Sequence, residues 1–145
     1  MISLFGFPAD GPPPGRFHWV DGVAHCIDEA CGERIGRLWD AYEVVWATGW
    51  EEKANEYLPH ILSLPARELP VVSFEDRAPL ASAHWKLEAI AEYAGERPAA
   101  WVDDSLDAEC ERWARERRAP TLLVHTRPEI GLREQDVDVL LTWGD

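Results

Sequence analysis

The stretch Ala99-Ala-Trp-Val-Asp-Asp104 decides the fold, because four apolar residues run directly into two adjacent carboxylates. A short apolar run of this kind is typical of a strand that is buried on both faces, as in a parallel sheet. Helical patterns separate it from other runs of the same kind: Tyr42–Ala47, Pro70–Phe74 and Thr121–Val124. Strands alternating with helices predict an α/β domain with a mostly parallel sheet covered by helices on both faces. No linker divides the chain, so we expect one domain over residues 1–145.

Polar residues follow the predicted strands, at Thr48, Lys86, Asp103 and Asp104. Right-handed crossovers place the carboxyl ends of parallel strands at one edge of the sheet, where α/β proteins bind ligands. A hydroxyl group and a backbone amide, here those of Thr48 and Gly49, can bind phosphate oxygens, and a lysine neutralises phosphate charge. An acidic pair can hold Mg²⁺. The order of these residues predicts a site for phosphoryl chemistry.

Each of these residues also has an ordinary structural interpretation. Thr48 and Gly49 can cap the helix that begins near Trp50, and either aspartate can cap the helix after residue 104. Lys86 can be a surface lysine. These alternatives stay open for each residue alone, whereas the ordered set favours a functional site.

A hairpin is predicted in the amino-terminal part of the chain. Asp21-Gly22 stands between the apolar runs Phe17–Val20 and Val23–Cys26, and both central positions of such a tight turn need positive φ. We expect residues 12–26 to form a small flap. Helix N-caps are predicted at Asp28 and Ser105, whose side chains can accept hydrogen bonds from the first turn.

The charge of the chain disfavours nucleic acid as a partner. The formal net charge is −13, and such a surface repels a phosphate backbone. A group of arginines is interleaved with glutamates and is interpreted as a solvated helix face: Arg112, Arg115, Arg117 and Arg118. A local pocket can still differ from the average surface, so a small phosphorylated molecule remains a possible partner.

Cysteine usage and hydropathy indicate a soluble, cytoplasmic protein. The three cysteines are an odd number and no signal peptide precedes them, which disfavours a disulfide scaffold. His25, Cys26 and Cys31 lack a second pair of ligands, so zinc is not expected. No apolar stretch approaches the roughly 20 residues that span a membrane.

The segments Val45–Trp50, His84–Lys86 and Trp101–Asp104 resemble small bacterial proteins with a domain of the haloacid dehalogenase (HAD) superfamily. The ending Thr121–Thr126, followed by Gly131-Leu132, is similar to the same group. HAD enzymes use a Thr or Ser after strand two, a Lys further on and an acidic pair after strand four, which Thr48, Lys86, Asp103 and Asp104 resemble.

This resemblance implies a three-layer, Rossmann-like HAD fold and a Mg²⁺-dependent phosphatase that hydrolyses phosphomonoesters through an aspartyl-phosphate. Thr48, Gly49 and Lys86 would then bind phosphate, and Asp103 and Asp104 would bind the metal. The substrate and the oligomeric state are not readable from the sequence.

The first HAD motif is the point of departure. The family carries Asp-x-Asp-Gly-Val, whose first aspartate attacks phosphorus and whose second acts as acid and base, and this sequence is absent here. Three arrangements are open. Met1–Phe5 can follow a motif that lies before them, Ile2–Phe5 can be strand one with Asp10-Gly11 as the remnant, or Val20–Val23 can be the remnant. The first is favoured, because it leaves the hairpin as the flap that the family places after strand one.

The missing motif has a structural and a functional consequence. Strand one is central in the HAD sheet, so without it strands two and four would lose a ladder partner, at Val44-Val45 and Trp101-Val102. Either the natural protein starts earlier or residues 2–7 fill that place. We expect the chain to be catalytically inactive and to bind Mg²⁺ weakly. The alternative function is a non-catalytic phosphate-binding or interaction module. A domain that processes nucleic-acid ends is a third and weaker hypothesis, since similar HAD domains occur in RNA-repair proteins.

Overall fold

A computed structural model describes residues 1–74 and 83–144 as a mixed α/β structure. Its helices and strands follow each other in the order β1 (Ser3–Leu4), β2 (Arg16–Val20), β3 (Val23–Ile27), α1 (Cys31–Gly36), α2 (Lys53–Ile61), a 3-10 helix (Ala83–Lys86), α3 (Leu87–Ala94), β4 (Ala99–Asp103), α4 (Ala108–Glu116), β5 (Thr121–His125) and α5 (Glu134–Gly144). Within the described part of the chain, no helix is long and apolar enough to cross a membrane.

The amino-terminal strands form an antiparallel sheet in the order β1-β3-β2, which we call the flap sheet. The hairpin between β2 and β3 turns at Asp21 and Gly22, whose φ angles are 49° and 80°. Two successive positive φ angles are those of a type I′ turn, so the predicted hairpin is confirmed. The carboxylate of Asp21 holds this turn on α2, because it accepts from the ammonium of Lys53 and, at 3.0 Å, from the hydroxyl of Tyr57.

The position of β1 decides between the arrangements proposed for the first motif. Ser3 and Leu4 pair antiparallel with Ile27 and Cys26 of β3, so this segment belongs to the flap sheet. It does not form strand one of a parallel sheet, and the second arrangement is wrong. Asp21 lies at the tip of the hairpin, which contradicts the third.

The parallel part of the structure is centred on β4 and β5, which pair from Ala99 opposite Thr121 to Asp103 opposite His125. The predicted strands 42–47 and 70–74 are shorter than expected and share one parallel bridge, between Trp46 and Val71. The Trp46 amide donates to the carbonyl of residue 70 at 2.9 Å, and the Trp46 carbonyl accepts from the amide of residue 72 at 2.8 Å.

The side-chain amide of Asn55, on α2, reinforces this single bridge. Its Oδ1 accepts from Trp46 Nε1 at 3.0 Å and from the backbone amide of Leu69 at 2.9 Å. Its Nδ2 donates to the carbonyl of Leu69 at 2.8 Å. One half-buried amide therefore connects α2 to both extended segments, and all three hydrogen bonds are partly shielded from water.

The core consists of two hydrophobic clusters on opposite sides of the strand segments. The first is built around Ile27, Val137 and Leu140, and the second around Trp101 and Cys110. Successive strand residues alternate between them: Val44, Ala100 and Val102 pack on the first, whereas Val45, Ala47 and Leu123 pack on the second. This alternation follows from the two-residue period of a strand and covers both of its faces.

The starts of two helices differ from expectation. Asp28 accepts from the amide of Ala30 at 3.1 Å, but α1 begins only at Cys31 and its N-cap position lacks a side-chain cap. α4 is capped by Asp107, which accepts from the amides of Glu109 and Cys110 at 3.1 Å each. Ser105 is not the cap, because its amide and hydroxyl are both bound to the preceding aspartates.

Candidate functional site

Lys86 and Asp103 form an ion pair at the carboxyl end of β4. Lys86 ends the 3-10 helix, Asp103 ends the strand, and Nζ lies 2.7 Å from Oδ2. The other carboxylate oxygen of Asp103 accepts from the amide of Ser105 at 3.0 Å. Asp103 is only 7% exposed, so its charge needs these partners to compensate its lost hydration.

Asp104 binds a second cation beside that pair. Its Oδ2 accepts from the amino-terminal ammonium of Met1, and its Oδ1 accepts from the hydroxyl of Ser105 at 3.1 Å. Partial burial raises the pKa of Asp104, but the Met1 ammonium, the Ser105 hydroxyl and the charge of Lys86 outweigh it. The net pKa is therefore lower than usual for an aspartate, and this carboxylate is ionised at neutral pH.

Thr48 and Gly49 form the turn between the extended segment 42–47 and α2. The hydroxyl of Thr48 accepts from the amide of Trp50 at 3.3 Å, a long hydrogen bond of the kind that a serine or threonine turn makes. The capping interpretation of Thr48 is wrong, because α2 begins only at Lys53, its N-cap position is Glu52, and it lacks a side-chain cap. The side chain is only half-buried and can also meet a ligand.

One cavity joins four of these predicted site residues. It has a volume of about 810 Å³, and its lining includes Thr48, Lys86, Asp103 and Asp104, which we call the carboxyl-edge cluster. Gly49 is not part of the lining, although its neighbours on both sides are. The interpretation of Lys86 as a surface lysine is wrong, since its side chain is only 14% exposed.

The carboxyl-edge cluster does not fit a complete Mg²⁺ site on its own. Mg²⁺ requires about six oxygen ligands in a near-octahedral shell. The cluster offers two carboxylates, and each is bound to an ammonium group. Among the described residues there is no group of three or more His, Cys, Asp or Glu side chains placed to hold a metal.

Sequence reasoning missed the contribution of the flap sheet to this site. His25 on β3 contacts the edge of the Trp50 ring, with the ring centroids 4.7 Å apart, and its Nδ1 lies 2.8 Å from the hydroxyl oxygen of Ser3. Ser3 and Trp50 line the cavity. The only local signal was the position of His25 on a predicted strand, and nothing in the sequence indicated what that strand would face.

The chain contains one Asp-x-Asp, at Asp136-Val-Asp138, but it lies on α5 and lacks the Gly that follows in the HAD motif. Both side chains are engaged in ion pairs, Asp136 with Arg133 at 2.9 Å and Asp138 with Arg37 at 2.8 Å. Neither belongs to the cavity lining. This pair is therefore part of the helix surface and its amino-terminal turn, and it does not supply the nucleophile.

Comparison with known proteins supports the resemblance seen in the sequence. A family model described as "HAD domain in Swiss Army Knife RNA repair proteins" matches residues 9–137. No curated protein and no solved structure matches the chain. The matched range contains every residue of the carboxyl-edge cluster, as well as the flap hairpin.

Proposed function

The chain belongs to the family of HAD domains found in Swiss Army Knife RNA repair proteins, and we propose that its carboxyl-edge cluster binds the phosphate group of a small phosphorylated molecule. The domain would be a HAD-like hydrolase of the phosphatase type. Because no carboxylate in the described part of the chain is positioned as a nucleophile, we expect it to bind phosphomonoesters without hydrolysing them. The observation that carries this proposal is the Lys86–Asp103 ion pair at the cavity that Thr48 also lines.

Each side chain in the cluster has a distinct role in this proposal. The hydroxyl of Thr48, which lines the cavity, would donate to a phosphate oxygen. Lys86 would share its charge between the phosphate and Asp103. Asp103 and Asp104 would form the protein part of a metal shell that needs further oxygens to be complete.

Phosphomonoester hydrolysis through an aspartyl-phosphate requires a carboxylate in line with the leaving oxygen. Asp103 is held by Lys86 and by the Ser105 amide, and Asp104 is held by Met1 and Ser105. These contacts hold both aspartates where they balance the charges of Lys86 and Met1, and not where either could attack the phosphorus atom. This is why we assign phosphate binding to the 145-residue chain.

We further propose that the mixed α/β structure is the three-layer HAD arrangement within one domain over residues 1–145. The alternation of strand residues between two hydrophobic clusters supports this arrangement. A cytoplasmic location is also proposed, because all three cysteines are buried and free, as is usual for proteins in a reducing compartment.

Calorimetric titration with inorganic phosphate at near-physiological salt tests the binding site. We expect Thr48→Val to weaken phosphate binding about fivefold or more, because a charged acceptor loses a hydroxyl donor. Thr142→Val is the matched control, since the Thr142 hydroxyl is exposed on α5 and donates to the carbonyl of Asp138. Equal affinity of the Thr48 and Thr142 variants, or a wild-type chain that does not bind phosphate, would contradict the proposal.

A terminal phosphate on RNA is a second candidate ligand for the same cluster. The family description favours it, and β2 carries two exposed aromatic side chains, Phe17 at 56% and Trp19 at 71%, on which bases could stack. The net charge of −13 opposes it. Competition between a phosphorylated oligoribonucleotide and a small phosphomonoester separates the two candidates, and the same oligonucleotide without its terminal phosphate shows how much base stacking contributes alone.

A further inference from the structure

The outer strand of the flap sheet, β2, has one edge that the described part of the chain leaves uncovered. β3 pairs with its other edge, and the sheet order β1-β3-β2 ends at this strand. We propose that β2 pairs antiparallel with β2 of a second copy of this chain, about a two-fold axis at His18, so that the protein forms a symmetric dimer. The proposal is independent of phosphate binding, because it concerns the outer edge of the flap sheet and not the cavity.

The hairpin turn determines which backbone groups point to the free edge. A two-residue turn of this kind is closed by a pair that exchanges hydrogen bonds, here Val20 and Val23, and alternate residues then point the same way. His18 therefore faces β3, whereas the amides and carbonyls of Phe17 and Trp19 face away from it. In the described part of the chain these four outward groups have no backbone partner.

The side chains of the same two residues are also exposed. Phe17 and Trp19 share one face of the strand, and 56% and 71% of their surface is exposed to solvent. Edge strands of natural proteins are usually protected from pairing by lysine, proline, an inward-pointing charge or a bulge. Residues 17–19 contain no lysine, proline or acidic residue, and their pairing with β3 is regular. An apolar edge without these protections indicates a surface for strand pairing.

The backbone pattern of β2 matches its own copy in one register. If Phe17 lies opposite Trp19 of the second copy, Trp19 lies opposite Phe17, and all four outward groups of each strand are paired. This register also places two aromatic pairs on the exposed face, where cross-strand aromatic pairs stabilise a sheet. His18 then lies opposite His18 of the second copy, on the axis. A two-fold contact closes at two copies, so the free edge is covered without forming a fibre.

Charge favours the antiparallel direction. The strand begins at Arg16, whose side chain is 78% exposed, and it is followed by Asp21 at the turn. Antiparallel pairing brings each Arg16 to the end where Asp21 of the second copy lies, whereas parallel pairing would place the two Arg16 side chains together. The strand itself carries no acidic residue, so the net charge of −13 is not concentrated at this edge.

Sedimentation equilibrium from about 10 µM to 1 mM measures the association, in about 0.3 M salt so that repulsion between two chains of net charge −13 is screened. One pair of five-residue strands is a small interface, so we expect a reversible dimer with a Kd on the order of 100 µM. Trp19→Lys should weaken it about tenfold or more, because an edge lysine opposes strand pairing. Val139→Lys is the matched control, since Val139 is exposed on α5 and the change in charge is the same. Equal weakening by both variants would contradict the proposal.

Two cysteine variants test the register. In the proposed dimer the Cα atoms of the two residues 18 are about 4.5 Å apart, within reach of a disulfide, whereas those of the two residues 17 are about 8–9 Å apart and out of reach. Under mild oxidation we expect His18→Cys to form a linked dimer about tenfold faster than Phe17→Cys, although position 17 is the more exposed. The parent chain, whose three cysteines are buried and free, is the control. Equal rates would show random encounters, and a faster rate at position 17 would show another register, so either result overturns the proposal.

The unchanged chain provides a second measurement, because His18→Cys also removes the contact of His18 with Glu29. In a mixture of ¹³C-labelled and unlabelled chains, the Hα of His18 should show a nuclear Overhauser effect to the Hα of His18 in the second copy. Absence of this signal from a dimeric sample would rule out the register. If the chain instead remains monomeric at about 1 mM, the proposal is wrong. A shift of the Trp19 indole resonance with an unphosphorylated oligoribonucleotide would then identify the strand as a stacking surface for bases.

Discussion

The ammonium of Lys86 lies 2.7 Å from the carboxylate of Asp103, although the two residues stand at the start of a helix and at the end of a strand. Both side chains are largely buried, with 14% and 9% of their surface exposed. This pair joins two elements at the edge where ligands of α/β proteins bind. It is therefore both a structural contact and the electrostatic centre of the candidate site.

Removing one member of this pair should destabilise the fold. We expect Lys86→Met or Asp103→Asn to lower the free energy of unfolding by about 2–4 kcal/mol, because each leaves an uncompensated polar or charged partner in a buried place. Chemical denaturation measures the change. The matched control is Lys53→Met, which removes an exposed ion pair with Asp21 and should cost less than about 1 kcal/mol. Similar losses in the free energy of unfolding for the Lys86→Met and Lys53→Met variants would contradict the conclusion that the Lys86–Asp103 pair is a structural contact.

The 145-residue chain should not hydrolyse a generic phosphomonoester such as p-nitrophenyl phosphate, because no carboxylate among residues 1–74 and 83–144 is positioned as the nucleophile. We expect activity to appear when an apolar strand followed by Asp-Val-Asp-Gly-Val is joined before Met1, and to be absent when both aspartates of that extension are asparagines. The measurement is steady-state release of nitrophenol. Turnover by the unextended chain that is abolished by Thr48→Val would show that the nucleophile lies among the 145 residues.

Mg²⁺ should bind weakly to the chain. Two carboxylates that are each held by an ammonium group leave most of an octahedral shell to water, and Mg²⁺ rarely binds tightly to so few protein oxygens. Calorimetric titration should show no saturation below about 1 mM. Tight binding would mean that the metal shell contains protein oxygens beyond those of Asp103 and Asp104.

Asp136 should make stability depend on pH. Burial raises the pKa of Asp136, but the guanidinium and backbone amide of Arg133 outweigh it and hold the net pKa below the ordinary 3.8. A carboxyl whose pKa is lowered by folding stabilises the fold above its unfolded pKa, and this contribution is lost as the pH falls through the folded pKa. We expect Asp136→Asn to cost about 1–2 kcal/mol at pH 7 and progressively less below about pH 4.

Denaturation curves at several pH values test that expectation, with Asp138→Asn as the control in the same helix. Asp138 is exposed and its pair with Arg37 lies on the surface, so its replacement should have little effect at any pH. If Asp136→Asn lowers the free energy of unfolding by the same amount at every pH, Asp136 contributes through packing rather than through its charge.

The sequence predicted those elements whose geometry depends mainly on residues that are neighbours along the chain. The hairpin at Asp21-Gly22 was predictable because the required backbone angles select those two residues. The strand that ends at Asp103 was predictable because the apolar run 99–102 is followed directly by two charged aspartates. The convergence of Thr48, Lys86 and Asp103 followed from strand polarity, which the parallel ladder of β4 and β5 obeys.

Features that depend on distant partners were not predictable. Ser105 was expected to cap α4, but neighbouring carboxylates bind it and Asp107 takes that role. The extended segments around Trp46 and Val71 share only one bridge, and the contact of His25 with Trp50 depends on how the flap sheet docks. In each case the outcome depends on which groups meet in the folded chain, and no spacing along the sequence encodes that.

The three hydrogen bonds of Asn55 have an evolutionary consequence. Aspartate at this position would lack the Nδ2 donor, leucine would lack all three contacts, and glutamine would place its amide one methylene too far from Leu69. Substitution of Trp46 would in turn leave Oδ1 with one donor fewer. Among homologous sequences we therefore expect positions 46 and 55 to change together, so that an indole or other donor at the first accompanies asparagine at the second.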